Sequence, residues 1–193
     1  MKKCKLFISL VLCLLVVTFI TGCDNNKKNT NDNKKESTTV TEKDQNKNAK
    51  CSAIECIKKI DVEASVEDIN KVMGFEGKLT DEKYNIYTWK INDKESVIAK
   101  YYSGNNPTIV IEFDEDKIAN KKVDLSKLND LKAKVKEGIT YDEFKKEIGN
   151  QEGTLIEKSK STNRYMWSNT KGGYVRASFN ANSNKCTFFM GRA

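Results

Sequence analysis

The residue with the clearest chemistry is a cysteine near the N-terminus. Three lysines lie within the first five residues, and the apolar run Leu6–Ile20 that follows them ends in Ile20-Thr-Gly-Cys23. A positive start, a short apolar core and small residues before a cysteine are typical of a lipoprotein signal peptide. We therefore predict that residues 1–22 are cleaved and that a palmitate-type acyl chain on Cys23 anchors the protein to the extracytoplasmic side of the cell membrane. The alternatives are an ordinary signal peptide that contains a cysteine, or an uncleaved anchor.

Three more cysteines, Cys51, Cys56 and Cys186, lie in the exported part of the chain. Disulfides persist in an oxidising compartment, so we expect one bridge and one free thiol. Cys51 and Cys56 are too far apart to bond inside one helix, but they can bond if Cys51 precedes the helix. Cys186, in the last predicted strand, is the other candidate partner, and the sequence leaves the pairing open.

The composition argues against catalysis. The chain contains no histidine, so the usual Ser-His and Cys-His nucleophile pairs are absent. The three exported cysteines are too few for a structural metal site, and no acidic pair stands out from the charged surface. We predict a protein that is not an enzyme and that holds no metal or cofactor.

Residues 23–50 combine the lipidated cysteine with a stretch rich in Asn, Lys, Thr, Asp and Glu. We predict a disordered spacer, because this stretch has too little apolar surface to form a core; a polybasic membrane-binding patch is the alternative. The whole chain carries a formal charge of +7, but ten of its 34 basic and five of its 27 acidic residues precede Cys51, which leaves +2 for the remainder. This balance argues against a nucleic-acid partner.

The remainder contains two similar segments. Ser65–Gly74 resembles Thr140–Gly149, and each is followed by a Tyr-x-Trp, at Tyr87-Thr-Trp89 and Tyr165-Met-Trp167. Both segments begin with a hydroxyl residue and an acid three positions later, and both end in glycine, which predicts capped helices with left-handed C-terminal glycines. We therefore predict two tandem repeats, at residues 51–120 and 121–193.

Helices and strands are predicted from apolar spacing. Ile54, Ile57 and Ile60 indicate a helix before Ser65, and Leu125, Leu128, Leu131 and Val135 indicate one before Thr140. Short leading strands are expected near Gly77 and Gly153. Alternating residues between turn signals predict further strands at 84–91, 96–102, 108–113, 164–168, 174–179 and 185–190.

Alternation also predicts which side chains share a sheet face. One parity is densely apolar and includes both tryptophans, Phe188 and Met190, so we expect it to lie under the helices. The other parity mixes aromatic and cationic residues, which are enriched at interfaces. Ordinary solvated side chains are the alternative for this second set. Its candidate partner-binding residues are Lys100, Tyr102, Tyr174, Arg176 and Phe189.

Each unit consists of a short helix, a second helical segment and a Tyr-x-Trp strand; in the second unit the helical segment runs from Gly138-Ile-Thr140 through Gly149. This pattern resembles the β-lactamase-inhibitor-protein-like family, and especially uncharacterised Gram-positive lipoproteins with this repeat. The first segment departs from the pattern, with Glu63-Ala64 where the family has Gly-Met. The resemblance implies an α+β fold of two tandem helix–helix–antiparallel-sheet repeats whose sheets join into one concave surface.

The resemblance and the composition together predict a membrane-anchored, non-catalytic protein-binding module that acts in the manner of an inhibitor. Its partners would be the membrane, through the N-terminal lipid, and an unknown envelope or secreted protein. The alternative is an envelope scaffold or assembly-factor lipoprotein related to the small lipoproteins of barrel assembly.

Overall fold

A computed structural model describes residues 48–102, 104, 106–136 and 138–193. The predicted signal peptide, Cys23 and nearly all of the predicted spacer lie outside these residues. The helices are α1 Ala53–Lys59, α2 Val66–Met73, α3 Leu128–Lys136 and α4 Tyr141–Glu147, with a 3₁₀ segment at Glu115–Ile118. The strands are β1 Lys78–Asp81, β2 Ile86–Asn92, β3 Glu95–Lys100, β4 Thr108–Glu112, β5 Thr154–Lys158, β6 Thr162–Ser168, β7 Tyr174–Asn180 and β8 Cys186–Arg192.

All eight strands form one antiparallel sheet in chain order. Each strand pairs with the next one along the chain, as expected where short turns join neighbouring antiparallel strands. The middle connection is the exception, because α3 and α4 lie between β4 and β5. These two strands still pair directly, through Ile109 with Lys158 and Val110 with Glu157.

The prediction of two tandem helix–helix–sheet repeats is wrong. The strands belong to a single eight-stranded sheet, which is the dominant element, and the four helices are short. The core gives the physical reason, since Ile156 of β5 and Met166 of β6 belong to the same buried cluster as Ile57 and Trp89. The coarser assignment to the α+β class agrees with the structure.

The helices cover one face of the sheet, which we call the covered face. Ile57 of α1 and Ile69 and Met73 of α2 pack with residues of β2 to β4 in the first cluster. Leu131 of α3 and Phe144 of α4 pack with residues of β6 to β8 in a second cluster. The Nζ atom of Lys158 donates a hydrogen bond to the carbonyl oxygen of Ile60, which ties β5 to the end of α1.

The helix boundaries follow local chemistry, as predicted. Ser65 Oγ accepts from the N–H of Asp68, and Thr140 Oγ1 accepts from the N–H of Glu143, while both carboxylates bond back to the capping residue. Gly74 closes α2 with φ of 85°. Gly149 has φ of 90° one residue beyond the cap of α4, and a Cβ there would collide with the carbonyl oxygen of Lys122, so glycine is required.

Candidate protein-binding surface

The sheet face opposite the helices, which we call the open face, carries the candidate site. On β7 the side chains of Tyr174, Arg176 and Ser178 share this face, because Val175, Ala177 and Phe179 on the alternate positions are buried in the second cluster. The 3₁₀ segment contacts β6, and its Glu115 pairs with Arg176 on this face. Met166 and Ser178 on this face are buried, whereas Phe188 and Met190 at its β8 end are exposed, so the accessible surface lies towards β8.

A groove of about 740 Å³ runs across the open face from β4 to β8. Its apolar lining includes Val110, Phe113 and Ile156 towards the middle of the sheet and Phe188 and Met190 on β8. Its polar lining comes from acids and bases on these strands, on the turn between β2 and β3 and on the 3₁₀ segment: Asp93, Lys94, Glu112, Glu115, Glu157, Arg164 and Arg176. The groove therefore offers apolar contact area beside fixed charges.

Two arginines lie along the groove and both are already paired. Arg164 donates to Glu157 at 2.6 Å and, through Nε, to Ser178 Oγ at 2.9 Å. Arg176 donates from Nη2 to Glu115 at 2.6 Å, across 61 residues of sequence. The Nε atom of Arg176 is buried without a hydrogen-bond partner, the one such side-chain atom among the described residues. An unsatisfied buried donor is costly, so this Nε atom has a hydrogen bond still to gain.

Tyr174, the first residue of β7, extends this polar row to the start of the strand. The guanidinium carbons of Arg176 and Arg192 lie 5.5 and 5.6 Å from the centre of its ring. Both distances are within the range of cation–π attraction. A tyrosine held between two arginines is a stiff amphipathic contact surface, of the kind enriched at the centres of protein interfaces.

The segment 114–120, which includes Glu115 of the groove lining, contacts the sheet at several points. The N–H of Asn120 donates to the carbonyl oxygen of Ser168 at 2.8 Å, and Lys94 pairs with Asp114 at 2.8 Å. Lys117 forms a further ion pair with Glu95, whose side chain is buried. Because these contacts already hold the segment, a partner that binds along it has less chain to order.

The five predicted binding residues do not form one patch. Tyr174 and Arg176 lie together on the open face of β7. Lys100 lies on the open face of β3, which is four strands and roughly 19 Å away. Tyr102 lies beyond the end of β3, is 59% exposed and contacts the edge of the Tyr84 ring.

The placement of Phe189 on the open face is wrong, and so is the placement of Phe188 and Met190 under the helices. The β7–β8 register shifts between Phe179–Cys186 and Ser178–Phe188, and this bulge reverses the predicted parity of β8. Phe189 consequently packs on the covered face, with its ring centre 5.9 Å from that of Phe144. Phe188 and Met190 are 50% and 44% exposed and line the groove.

The cysteines take one of the two pairings that the sequence left open. Cys51 precedes α1 and is bonded to Cys56, with a Cα–Cα distance of 5.6 Å. Cys186 is a buried free thiol in the second cluster, and burial raises its pKa to about 11. The predicted lipidation site, Cys23, lies outside the described residues.

Sequence patterns missed three features of the groove: Glu115, Phe188 and Met190. The first depends on a contact between distant segments, and the other two depend on the bulge. Among the described residues, no group of three or more His, Cys, Asp or Glu side chains is arranged to hold a metal ion. The described part of the chain also contains no helix long and apolar enough to cross a membrane.

No protein-family model, curated protein or solved structure matches this chain. The resemblance to the β-lactamase-inhibitor-protein-like family therefore stays a prediction.

Proposed function

We propose that this protein is a lipid-anchored, non-catalytic binding module on the extracytoplasmic side of the membrane, and that it captures an envelope or secreted protein on the open face. The observation that carries the proposal is the groove across β4 to β8, with Phe188 and Met190 exposed at one end beside Tyr174 and Arg176. Exposed apolar side chains next to a tyrosine and arginines are the composition of an interface core.

The charge pairs of the groove support a binding role. Arg164 and Arg176 keep their partners Glu157 and Glu115 in place, so the polar groups are held before any partner arrives. Preorganised side chains lower the entropic cost of association. Paired charges also favour a partner with matching polar groups over non-specific apolar surfaces.

The N-terminal pattern supports the proposed location. A lipidated Cys23 followed by a polar spacer to residue 50 would hold the sheet away from the bilayer and leave the open face accessible. Substituting Cys23→Ala should release the protein from membranes on fractionation. Persistent membrane association of that variant would contradict the anchor.

Photo-crosslinking in intact cells tests the open face directly. The full chain carrying benzoylphenylalanine at Met190 should form a discrete adduct, whereas the same probe at the exposed Lys58 of α1 should not. A second substitution, Phe188→Ser, should reduce the adduct strongly because it removes the neighbouring apolar contact. Leu79→Ser is the matched control, since Leu79 is similarly exposed but lies on β1 at the other end of the sheet.

The pattern of adducts decides the proposal. A Met190 adduct that depends on Phe188 and not on Leu79 supports capture by the open face. Equal yields at Met190 and Lys58, or an adduct unaffected by Phe188→Ser, would overturn it.

A further inference from the structure

The outer edge of β8 differs from the edge at the other end of the sheet. β1 is four residues long, carries Lys78 and Asp81, and has an irregular register with β2. Charges, short length and bulges are the usual ways in which proteins protect a sheet edge from pairing with another chain. β1 therefore has the features of a protected edge.

The edge of β8 has a bulge only at its start, at Thr187, and has none of these protections along Phe188–Gly191. That stretch contains no proline and no charged residue, and it pairs regularly with β7 from Phe188 to Arg192. Cys186, which precedes this stretch, cannot donate to an added strand, because its N–H already donates to the carbonyl oxygen of Ile139 at 2.8 Å. Backbone groups beyond Cys186 on the outer side have no further strand to pair with, since β8 ends the sheet.

The two faces beside this edge differ in chemistry. On the open face, Phe188 and Met190 are exposed next to the edge. On the covered face, α3 packs against β8 and carries Lys132, Lys134 and Lys136 against a single acid, Asp130. Lys134 pairs with Glu147 of α4, whereas Lys132 and Lys136 are exposed.

This charge distribution argues against a second copy of the chain as the occupant. Antiparallel pairing of two β8 strands around a twofold axis keeps both covered faces on the same side, which brings the two lysine-rich α3 helices together. Like charges placed next to each other across an interface oppose association. A partner with carboxylates on that side would instead be attracted to these lysines.

The geometry points to β8 as the docking edge for an extended acidic segment of a partner protein, added as a further antiparallel or parallel strand. Its side chains would alternate, with apolar residues on the open face beside Phe188 and Met190 and carboxylates on the side of Lys132 and Lys136. This inference rests on the proposed function and specifies the chemistry of its partner.

A synthetic peptide tests this docking mode with the full chain in nanodiscs of neutral phosphatidylcholine. The probe is the acetylated, amidated peptide DIEVDIE, and its charge-reversed control is KIKVKIK. We expect DIEVDIE to bind at least about tenfold more tightly in a fluorescence anisotropy titration at low salt, because several ion pairs of modest strength add up. Hydrogen exchange of the Thr187–Gly191 amides should slow on binding, while exchange at Lys78–Asp81 stays unchanged.

Two further comparisons separate main-chain pairing from simple charge attraction. DIEVDIE methylated on alternate backbone nitrogens is prepared in its odd and even forms, and one form should lose about tenfold in affinity because it cannot donate to β8. Lys132→Glu combined with Lys136→Glu should also lose about tenfold. The matched control, Lys58→Glu with Lys59→Glu on α1, makes the same charge change away from β8 and should keep full affinity.

The outcomes distinguish the edge from the open face. Equal binding of both N-methylated forms and the parent peptide, or unchanged exchange in β8, overturns strand addition. If the Met190 adduct still depends on Phe188 in that case, the open face remains the binding surface and only the edge mode fails. Concentration-dependent dimers whose β8 amides are protected without peptide would overturn the acidic partner in favour of a second copy.

Discussion

The two tryptophans occupy comparable positions in the two halves of the sheet. Trp89 on β2 and Trp167 on β6 are buried on the covered face, and each ring lies against a glycine that precedes the adjacent strand. A Cβ atom on Gly77 would come closer than 3.0 Å to the Trp89 ring, and one on Gly153 would do the same to the Trp167 ring. The packing requirement is therefore the same at both sites.

The polar anchoring of the two rings differs. The indole N–H of Trp89 donates to the side-chain oxygen of Asn70 at 2.8 Å, whereas that of Trp167 donates to the backbone carbonyl of Gln151 at 2.8 Å. Asn70 also accepts from the N–H of Gly77, so two donors in the first half depend on one side chain. The same packing can therefore be maintained by either a side chain or the main chain, and the two arrangements should differ in their sensitivity to mutation.

The contact between a glycine and an indole ring, which both halves share, should give the greatest loss of stability when it is disturbed. Gly77→Ala and Gly153→Ala should each lower the free energy of unfolding by about 3 kcal/mol, because the new methyl group overlaps a buried indole that cannot move aside. Urea denaturation measures the change. Gly172→Ala is the control, because a Cβ atom added there meets open space. Its positive φ of 80° alone opposes the substitution, which should cost about 1 kcal/mol. Equal losses at Gly77 and Gly172 would contradict the packing argument.

The two halves also differ in covalent linkage, because the disulfide found among the described residues lies in the first half. Replacing Cys51 and Cys56 by alanine should lower the free energy of unfolding by about 2 kcal/mol, the value expected for closing a short loop in the unfolded chain. Cys186→Ala is the matched variant in the second cluster and leaves every bridge intact. Denaturation with and without dithiothreitol gives the test: a reductant effect that survives in the Cys51/Cys56 double variant would show that the bridge is not its cause.

A smaller asymmetry is expected at the indole acceptors. Asn70→Ala should cost about 1.5 kcal/mol, because Trp89 and Gly77 both lose their acceptor in a partly buried site. Gln151→Ala should cost less, about 1 kcal/mol, since Trp167 keeps the main-chain carbonyl as its acceptor and the losses are the side-chain bonds to Asn120 and to the carbonyl oxygen of Gly149. Equal losses in urea denaturation would remove the distinction between side-chain and main-chain anchoring.

The features that could be predicted from sequence are the local ones. The Ser65–Asp68 and Thr140–Glu143 caps depend on residues three apart, so their pattern determined their structure. The position of Phe189 could not be predicted because one unpaired residue in β8 reverses the alternation, and a bulge depends on the partner strand. The Glu115–Arg176 pair and the single sheet could not be predicted for a related reason. Both depend on contacts between segments far apart in the chain.

The last expected effect is a fall in the free energy of unfolding at alkaline pH, which is absent near neutrality. Both halves of the sheet should contribute to it. Burial raises the pKa of Tyr101 in the first half to about 12, and burial also raises the pKa of Tyr141 and Tyr165 in the second half above the ordinary value near 10. A group whose pKa is raised by folding holds its proton in the folded state after the unfolded chain has lost it. Its contribution is therefore fully present below pH 10 and is lost as the pH rises through the folded value.

We expect the free energy of unfolding to fall between pH 10 and 12 while absorbance at 295 nm shows these tyrosines ionising late. Tyr101→Phe should flatten the decline, at the cost of its hydrogen bond to the carbonyl oxygen of Ala64 at neutral pH. Tyr141→Phe should flatten it as well, while also depriving the N–H of Gly153 of its acceptor. If neither variant changes the slope above pH 10, the buried phenols are not the groups that couple ionisation to unfolding, and the two halves do not share this dependence.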